Sequence, residues 1–451
     1  TTAVLPLLLL AHAAQANEAS DDRAIRLLKI IPVPVTAANN TAGAMYSFDI
    51  SWVDQGRQLY FLADRSNRVV DVVDAKAATF LKQISPSPPH APFAGFTPCV
   101  PAAGANDCAG PNGVVTAEAP LPWLFVTDAP SRLLCFNFVT GATISDIKLN
   151  PTEPTRADEL AYDPKDGIIL AINNAASPPF GTFVQVDKQT CGLTVLNTVL
   201  LDSAHGVDAT NGAEQPVWES GTRRFYLSIP QIGTTVSHGG IVRIAPNATT
   251  VEFTYPVEFC SPAGLTVGPH QDLFIGCNTV FDTAGKVWNT AGTVTAAPKD
   301  VILNVETGKT TDVLGVGAGD EVWFNKGDGN YYATGSGSPF RPLPAATAQG
   351  STPLGVVDAK DKKVLQQVPT FNVPAVTTGP TSAQHPAGTS HSVAANAANN
   401  LVFVPLPANN AFSAFAVPNG GPVPDCEKGC IAVFGHPDED KAGDMDEQDN
   451  D

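Results

Sequence analysis

The strongest constraint on this 451-residue chain is a short phrase that returns seven times. A small or Gly-flanked step leads to one polar residue, and alternating apolar positions then open a β-run. The copies read Ser47-Phe48-Asp49-Ile50-Ser51-Trp52, Pro111-Asn112-Gly113-Val114-Val115, Asp158-Glu159-Leu160-Ala161-Tyr162, Glu214-Gln215-Pro216-Val217-Trp218, Pro262-Ala263-Gly264-Leu265-Thr266, Asp320-Glu321-Val322-Trp323-Phe324 and Ser390-His391-Ser392-Val393-Ala394. Aligned, one column holds Asp49, Asn112, Glu159, Gln215, Ala263, Glu321 and His391. Self-similarity at this spacing marks a repeat architecture, in which one unit cannot bury its apolar face alone. A closed array then aims six ligand-capable side chains of the seven at a common axis.

The unit is clearest in the first repeat. Residues 46–53 alternate as a first strand, 55–57 turn, 59–63 form a second, 64–67 turn again, 69–73 form a third and 79–84 a fourth. Four short antiparallel strands with polar turns make one propeller blade. The second repeat echoes it at 124–128, 132–138 and 143–149, and later repeats keep the first two strands and stretch the rest of the unit. The expected fold is all-β: a seven-bladed β-propeller of four-stranded antiparallel blades. Composition agrees, with 39 Pro and 38 Gly for turns, only two Met, and no amphipathic pattern of three helical turns. The seventh repeat supplies 431–434 as its third strand and lacks a fourth, while 25–31 is an apolar run with no home of its own. Placed beside 431–434, that run completes the last blade and removes an exposed sheet edge. The alternative is that 25–35 is only a linker.

The ends read differently from the body. Leu5 to Ala14 is an apolar run followed by Ala14-Gln15-Ala16, a small-x-small cleavage pattern. Residues 1–16 are therefore expected to be a signal peptide, with a buried N-terminal element as the alternative. The propeller occupies 17–436, and the protein is exported, periplasmic or extracellular. No other apolar stretch approaches the roughly 20 residues of a membrane span. Residues 437–451 carry eight Asp or Glu against one Lys and read as a disordered acidic tail. The net charge is −18 without a basic patch, which excludes nucleic acid as a partner. Eight Cys suit an oxidising compartment. Cys99 with Cys108 and Cys426 with Cys430 flank short loops, Cys260 and Cys277 fall near one another in blade 5, and Cys135 is left with Cys191 by elimination.

The stretch Tyr60-Phe61-Leu62-Ala63-Asp64-Arg65-Ser66-Asn67-Arg68-Val69-Val70-Asp71-Val72-Val73-Asp74 resembles the YVTN-type propeller repeat. In architecture the chain is similar to the YVTN/NHL and gluconolactonase-like propellers, a superfamily of lactonases, quinoprotein subunits and binding scaffolds. Fold analogy alone does not choose among these.

The axial column is the candidate site. Asp49, Glu159, Glu321 and His391 would gather three like charges and an imidazole in a narrow channel, which is costly without a compensating cation. Oxygen ligands with one nitrogen suit Ca²⁺, Mg²⁺ or Mn²⁺, with Zn²⁺ as a further choice. The gluconolactonase-like enzymes hold an axial cation with carboxylate and amide ligands, and Glu159, Glu321 and Asn112 resemble those ligand types. That resemblance implies a metal-dependent lactonase-like hydrolase in which Glu159 and His391 move protons. Ligand contacts are expected from Asn112, Gln215, His205, His238 and Arg341. The plainer alternative is that these residues only line a water-filled channel.

His90, His205, His238 and His385 all fall in loops around one mouth, whereas His270 falls on the opposite face. The connections 279–298, 335–353 and 405–429 lengthen in blades 5 to 7 and carry Phe281, Trp288, Phe340, Arg341, Phe412 and Phe415. Long loops on a rigid scaffold are where binding is usually placed. Two functions from different classes follow: a monomer that binds a small molecule at the axis with a divalent cation, extending to lactone or ester hydrolysis, or a non-catalytic scaffold that presents these loops to a protein. Gly317-Ala318-Gly319 and Gly335-Ser336-Gly337-Ser338 do not lead into helices, so no phosphate-cradling loop is expected.

Overall fold

A computed structural model describes residues 24–97, 99, 106–287, 298–317, 319–335, 354–368, 391–408, 426 and 428–437. The expected signal peptide, the acidic tail from residue 438, Arg341, His385, Trp288, Phe340, Phe412 and Phe415 lie outside the described residues.

Seven four-stranded antiparallel sheets form a seven-bladed β-propeller. Blade 1 runs Ser51–Asp54, Leu59–Asp64, Val69–Asp74 and Thr79–Ile84 from the axis outward. The innermost strands of the others are Val114–Thr116, Leu160–Asp163, Pro216–Glu219, Cys260–Val267, Gly319–Asn325 and Ala394–Asn396. Each contacts the next, and the last contacts the first, so the inner strands close a ring. Among the described residues the only helical pieces are short turns at Ser203–His205 and Pro269–Gln271.

The N-terminal strand Arg26–Pro32 pairs antiparallel with Cys430–Gly435 and completes blade 7, as the homeless apolar run implied. Its grip has two parts. Ile25, Ile31 and Val33 are buried in the cores on either side of blade 7. Gln366, on the outer strand of blade 6, accepts from the Ile25 amide at 3.0 Å and donates to the Ile25 carbonyl at 2.9 Å. This side chain stands in for a neighbouring strand at the ring's seam.

The cores lie between blades, where flat apolar faces meet. Phe61, Val70 and Val72 of blade 1 pack on Leu124, Val126 and Phe136 of blade 2, all at most 1% exposed. All four expected disulfides are present: Cys99–Cys108, Cys135–Cys191, Cys260–Cys277 and Cys426–Cys430. Cys135–Cys191 joins the third strand of blade 2 to the outer turn of blade 3 and so staples two blades together.

One boundary differs from the sequence reading. The first strand starts at Ser51 rather than residue 46, because the Ser66 hydroxyl accepts the Tyr46 and Ser47 amides in place of a strand partner. Glycine in the repeat phrase has a packing role at two places. A Cβ on Gly113 would sit 2.7 Å from the Asp158 carbonyl, and one on Gly264 would sit 2.5 Å from the Asp320 carbonyl. Neighbouring inner strands approach too closely there for any side chain.

Deleting residues 24–33 leaves Cys430–Gly435 as a bare apolar edge. Size exclusion and circular dichroism on the truncated protein are expected to show aggregation or loss of β-signal. A stable, monodisperse product would mean that the strand is dispensable for closure.

Candidate functional site

The inner strands all run in the same sense, so the residues just before them collect at one end of the channel. The repeat column therefore does gather at the axis, although its members have different duties. Asp49 lies 3.6 Å from His391 Nε2, and the His391 ring stacks on Phe48 at 4.8 Å between centroids. Asn112 is fully buried and spends its whole amide on structure. It donates to the Ala109 and Ala157 carbonyls and accepts from Arg65 Nε at 2.9 Å. Gln215 accepts from the Leu265 amide at 2.6 Å, tying blade 4 to blade 5. Glu321, 1% exposed, accepts from Val393 N at 3.0 Å and from the Ser392 hydroxyl, which also lies 2.7 Å from the Ser51 hydroxyl.

Arg65 reads in the sequence as part of a polar turn. It is instead 2% exposed, and its guanidinium pairs with Asp49 and approaches Asp158 to 3.8 Å. Arg156 pairs with Asp158 at 2.9 Å. Two arginines thus pair with Asp49 and Asp158, two of the acids gathered here. Burial opposes ionisation of Asp49, yet Arg65 and the His391 contact bring it down to about 2. Burial pushes Asp158 up to about 7 against the pull of Arg156. Burial also holds the Glu159, Glu214 and Glu321 carboxyls well above the usual range, and mutual repulsion adds to the rise.

Much of this donor set is already engaged by other partners. Asp49 faces Arg65, the Asn112 oxygen is taken by the same guanidinium, and Glu321 Oε2 is spent on the seam between blades 6, 7 and 1, while its Oε1 has no hydrogen-bond partner among the described residues. Among the described residues no group of three His, Cys, Asp or Glu side chains converges as metal ligands do.

His90, His205 and His238 do lie at the expected face, in fourth-to-first connections or at the start of a third strand. Each is held by a local carboxylate: His90 by Asp146 at 3.1 Å, His205 by Asp202 at 2.6 Å and His238 by Glu258 at 3.1 Å. The described contacts of His205 and His238 are thus away from the axial cluster. His270 sits in the Pro269–Gln271 turn on the opposite face, as expected.

Below the charged ring the channel changes character. A cavity of about 380 Å³ runs from Glu159 and Gln215 to the first hairpin turns at Glu118, Pro164 and Ser220. Its walls include Trp52, Tyr162, Trp218, Trp323 and Phe324, so three of the five tryptophans line it. Trp323 of blade 6 reaches past the small Ala394-Ala395 strand of blade 7 to meet Trp52 of blade 1 edge-on, at 5.2 Å. Glu159 is 7% exposed, and its Oε2 has no hydrogen-bond partner among the described residues.

These features define the class: a seven-bladed β-propeller with a charge-compensated upper ring and an aromatic channel beneath it. No family model matches the sequence, and no curated protein matches it. Solved structures do resemble the fold. Hydrazine synthase of Kuenenia stuttgartiensis is similar with a TM-score of 0.55 at 10% identity, over 82% of this chain and 94% of that one. A chain of a mitotic checkpoint complex is similar with a TM-score of 0.51 at 10% identity, over 89% of this chain and 95% of that one. At such identity the likeness is one of fold alone.

Two expectations follow from the charge arrangement. Arg65→Met strands Asp49 without its partner, and chemical denaturation should register a loss of about 3–5 kcal/mol; a loss under about 1 kcal/mol would show the pair to be incidental. The second concerns pH. Burial holds Asp64 up to about 6 and Asp128, Asp158 and Asp300 up to about 7, from an ordinary 3.8. The fold keeps these protons at a pH where the unfolded chain has released them, so their stabilisation is complete below 3.8 and lost as pH rises through 7. Asp49 acts in the opposite sense, but only below 3.8 as pH falls towards 2. The melting temperature should therefore drop between about pH 5 and pH 8; a flat or rising profile would refute this assignment of buried protons.

Proposed function

We propose that this protein is an exported propeller that binds a small, mainly apolar molecule in the axial channel, entering from the face of the first hairpin turns. One observation carries the reading: a cavity of about 380 Å³ with aromatic walls ends at a buried carboxyl group that lacks a partner among the described residues. Small-molecule sites have this make-up, apolar surface with a few polar groups to fix orientation. The volume is within the usual range for such sites. The rigid ring supports the reading further, since the channel is walled by inner strands rather than by long loops. Four disulfides, with no free cysteine among the described residues, support an oxidising and hence exported setting.

The proposal is one of binding. His391 does not line the cavity and lies beside Asp49, so the reading assigns it no proton transfer. The reading does not call on a metal ion, because Arg65 already engages Asp49 and Asn112 and Arg156 engages Asp158.

Titration with benzyl alcohol, a neutral aromatic probe, tests the proposal. Trp52, Trp218 and Trp323 should report it as a saturable change in emission, accompanied by a rise in melting temperature. Val217→Phe, which fills the channel, should abolish both responses while leaving the β-signal intact. An unmodified protein that gives no saturable response would overturn the reading, and EDTA treatment should leave the response unchanged.

A further inference from the structure

Resting on the channel reading, the charge and shape of the site point to a narrower ligand class. We propose that the channel takes an organic ammonium ion, its charged head at Glu159 and its apolar body between Trp52, Trp218 and Trp323.

Three observations carry this beyond a generic apolar pocket. The first is the balance of charge at the closed end. Asp49, Asp158, Glu159, Glu214 and Glu321 act on one another there, whereas the cations that face them are Arg65 and Arg156. Both arginines are committed to Asp49 and Asp158, and neither lines the cavity. Glu159 is left as the buried acid of the cavity wall, without an ion-pair partner among the described residues, while Glu118 is exposed at the far mouth. The second is that Glu159 is more than nine-tenths buried and Oε2 is unpartnered, so the site offers a carboxyl oxygen to whatever enters. Burial and the neighbouring acids hold this carboxyl protonated in the empty channel, and a cation seated beside it would favour the ionised form and supply the missing counter-charge.

The third observation is the wall. Trp52, Trp218, Trp323, Tyr162 and Phe324 surround the space beside that carboxyl. Aromatic faces attract cations through the ring quadrupole, most strongly in tryptophan, and they accept alkyl groups equally well. An anion would meet neither a guanidinium nor a lysine among the residues that line the cavity. A neutral apolar molecule would fill the walls and leave Glu159 unpaired. An alkylated ammonium satisfies both parts of the site at once, with its methylene groups against the rings and its charge against the acid.

The test compares choline with 3,3-dimethylbutan-1-ol, which replaces the quaternary nitrogen by carbon and keeps the shape. Both are titrated into the full-length protein at low and at high salt, followed by tryptophan emission and calorimetry. Choline should bind tighter than its neutral twin by at least about tenfold, as expected for a desolvated cation against aromatic faces and a carboxylate. In Glu159→Gln the preference should fall to within about threefold, because the amide keeps the shape and cannot ionise to meet the cation. Equal binding of the two compounds would overturn the ammonium assignment and leave the channel reading standing. Failure of both to bind would overturn the two together. A preference that survives in Glu159→Gln would remove that residue from the head-group site. Should the variant fold poorly, the ratio measured on the unmodified protein still decides the ligand class.

Discussion

The Arg65 guanidinium is the interaction on which the upper half of this molecule depends. It leaves the connection after the second strand of blade 1 and meets Asp49 of its own blade, Asn112 at the entry to blade 2 and Asp158 at the entry to blade 3. Three successive blades thereby share one buried cation. A ring of inner strands forces the residues that precede them into a small volume, and acids placed there would repel one another without such a centre. Asn112 completes the arrangement by binding the carbonyls on either side. The carboxylates of this ring are structural joints before they are anything else.

Compensation at one end leaves the other end free to differ. The same inner strands that carry Asp49 and Glu321 at their starts carry Trp52 and Trp323 a few residues further on. Alternation along a strand and the descent towards the hairpin turns separate the two sets by level. One scaffold thus holds a polar knot and an apolar passage on a single axis, with Glu159 at the border between them.

Most of the architecture was legible in the sequence because it rests on repetition. The apolar alternation of Leu59–Asp64 and Val69–Asp74 is local, and the unpaired run before blade 1 announced its own partner. The column at the axis was likewise visible, since position in a repeat determines position in the ring. What could not be read was occupancy. Arg65 stood in an Asp-Arg-Ser-Asn turn, a composition that ordinarily signals solvent, and only the closeness of three blades buries it. Asp158 and Glu214 were present in the repeat phrase, each one place before the chosen column, and acid next to column residue was the available hint of a crowded ring. Trp52, Trp218 and Trp323 stand in the same repeat phrases as strand residues. Trp323 lines a passage because Ala394 and Ala395 leave room across the neighbouring blade, and that complementarity spans distant parts of the chain.

Blade 7 also closes late in synthesis. Arg26 pairs with Gly435, so the earliest strand to be made waits for almost the last before it has a partner. During that interval six blades can assemble in order while a hydrophobic ribbon trails from their open side. Gln366 clasps the backbone of Ile25 from blade 6, so that segment is held from a second side once the ring is closed. Closure of the ring therefore rests on two segments from opposite ends of the described chain, and neither Arg26–Pro32 nor Cys430–Gly435 has its full set of strand partners without the other.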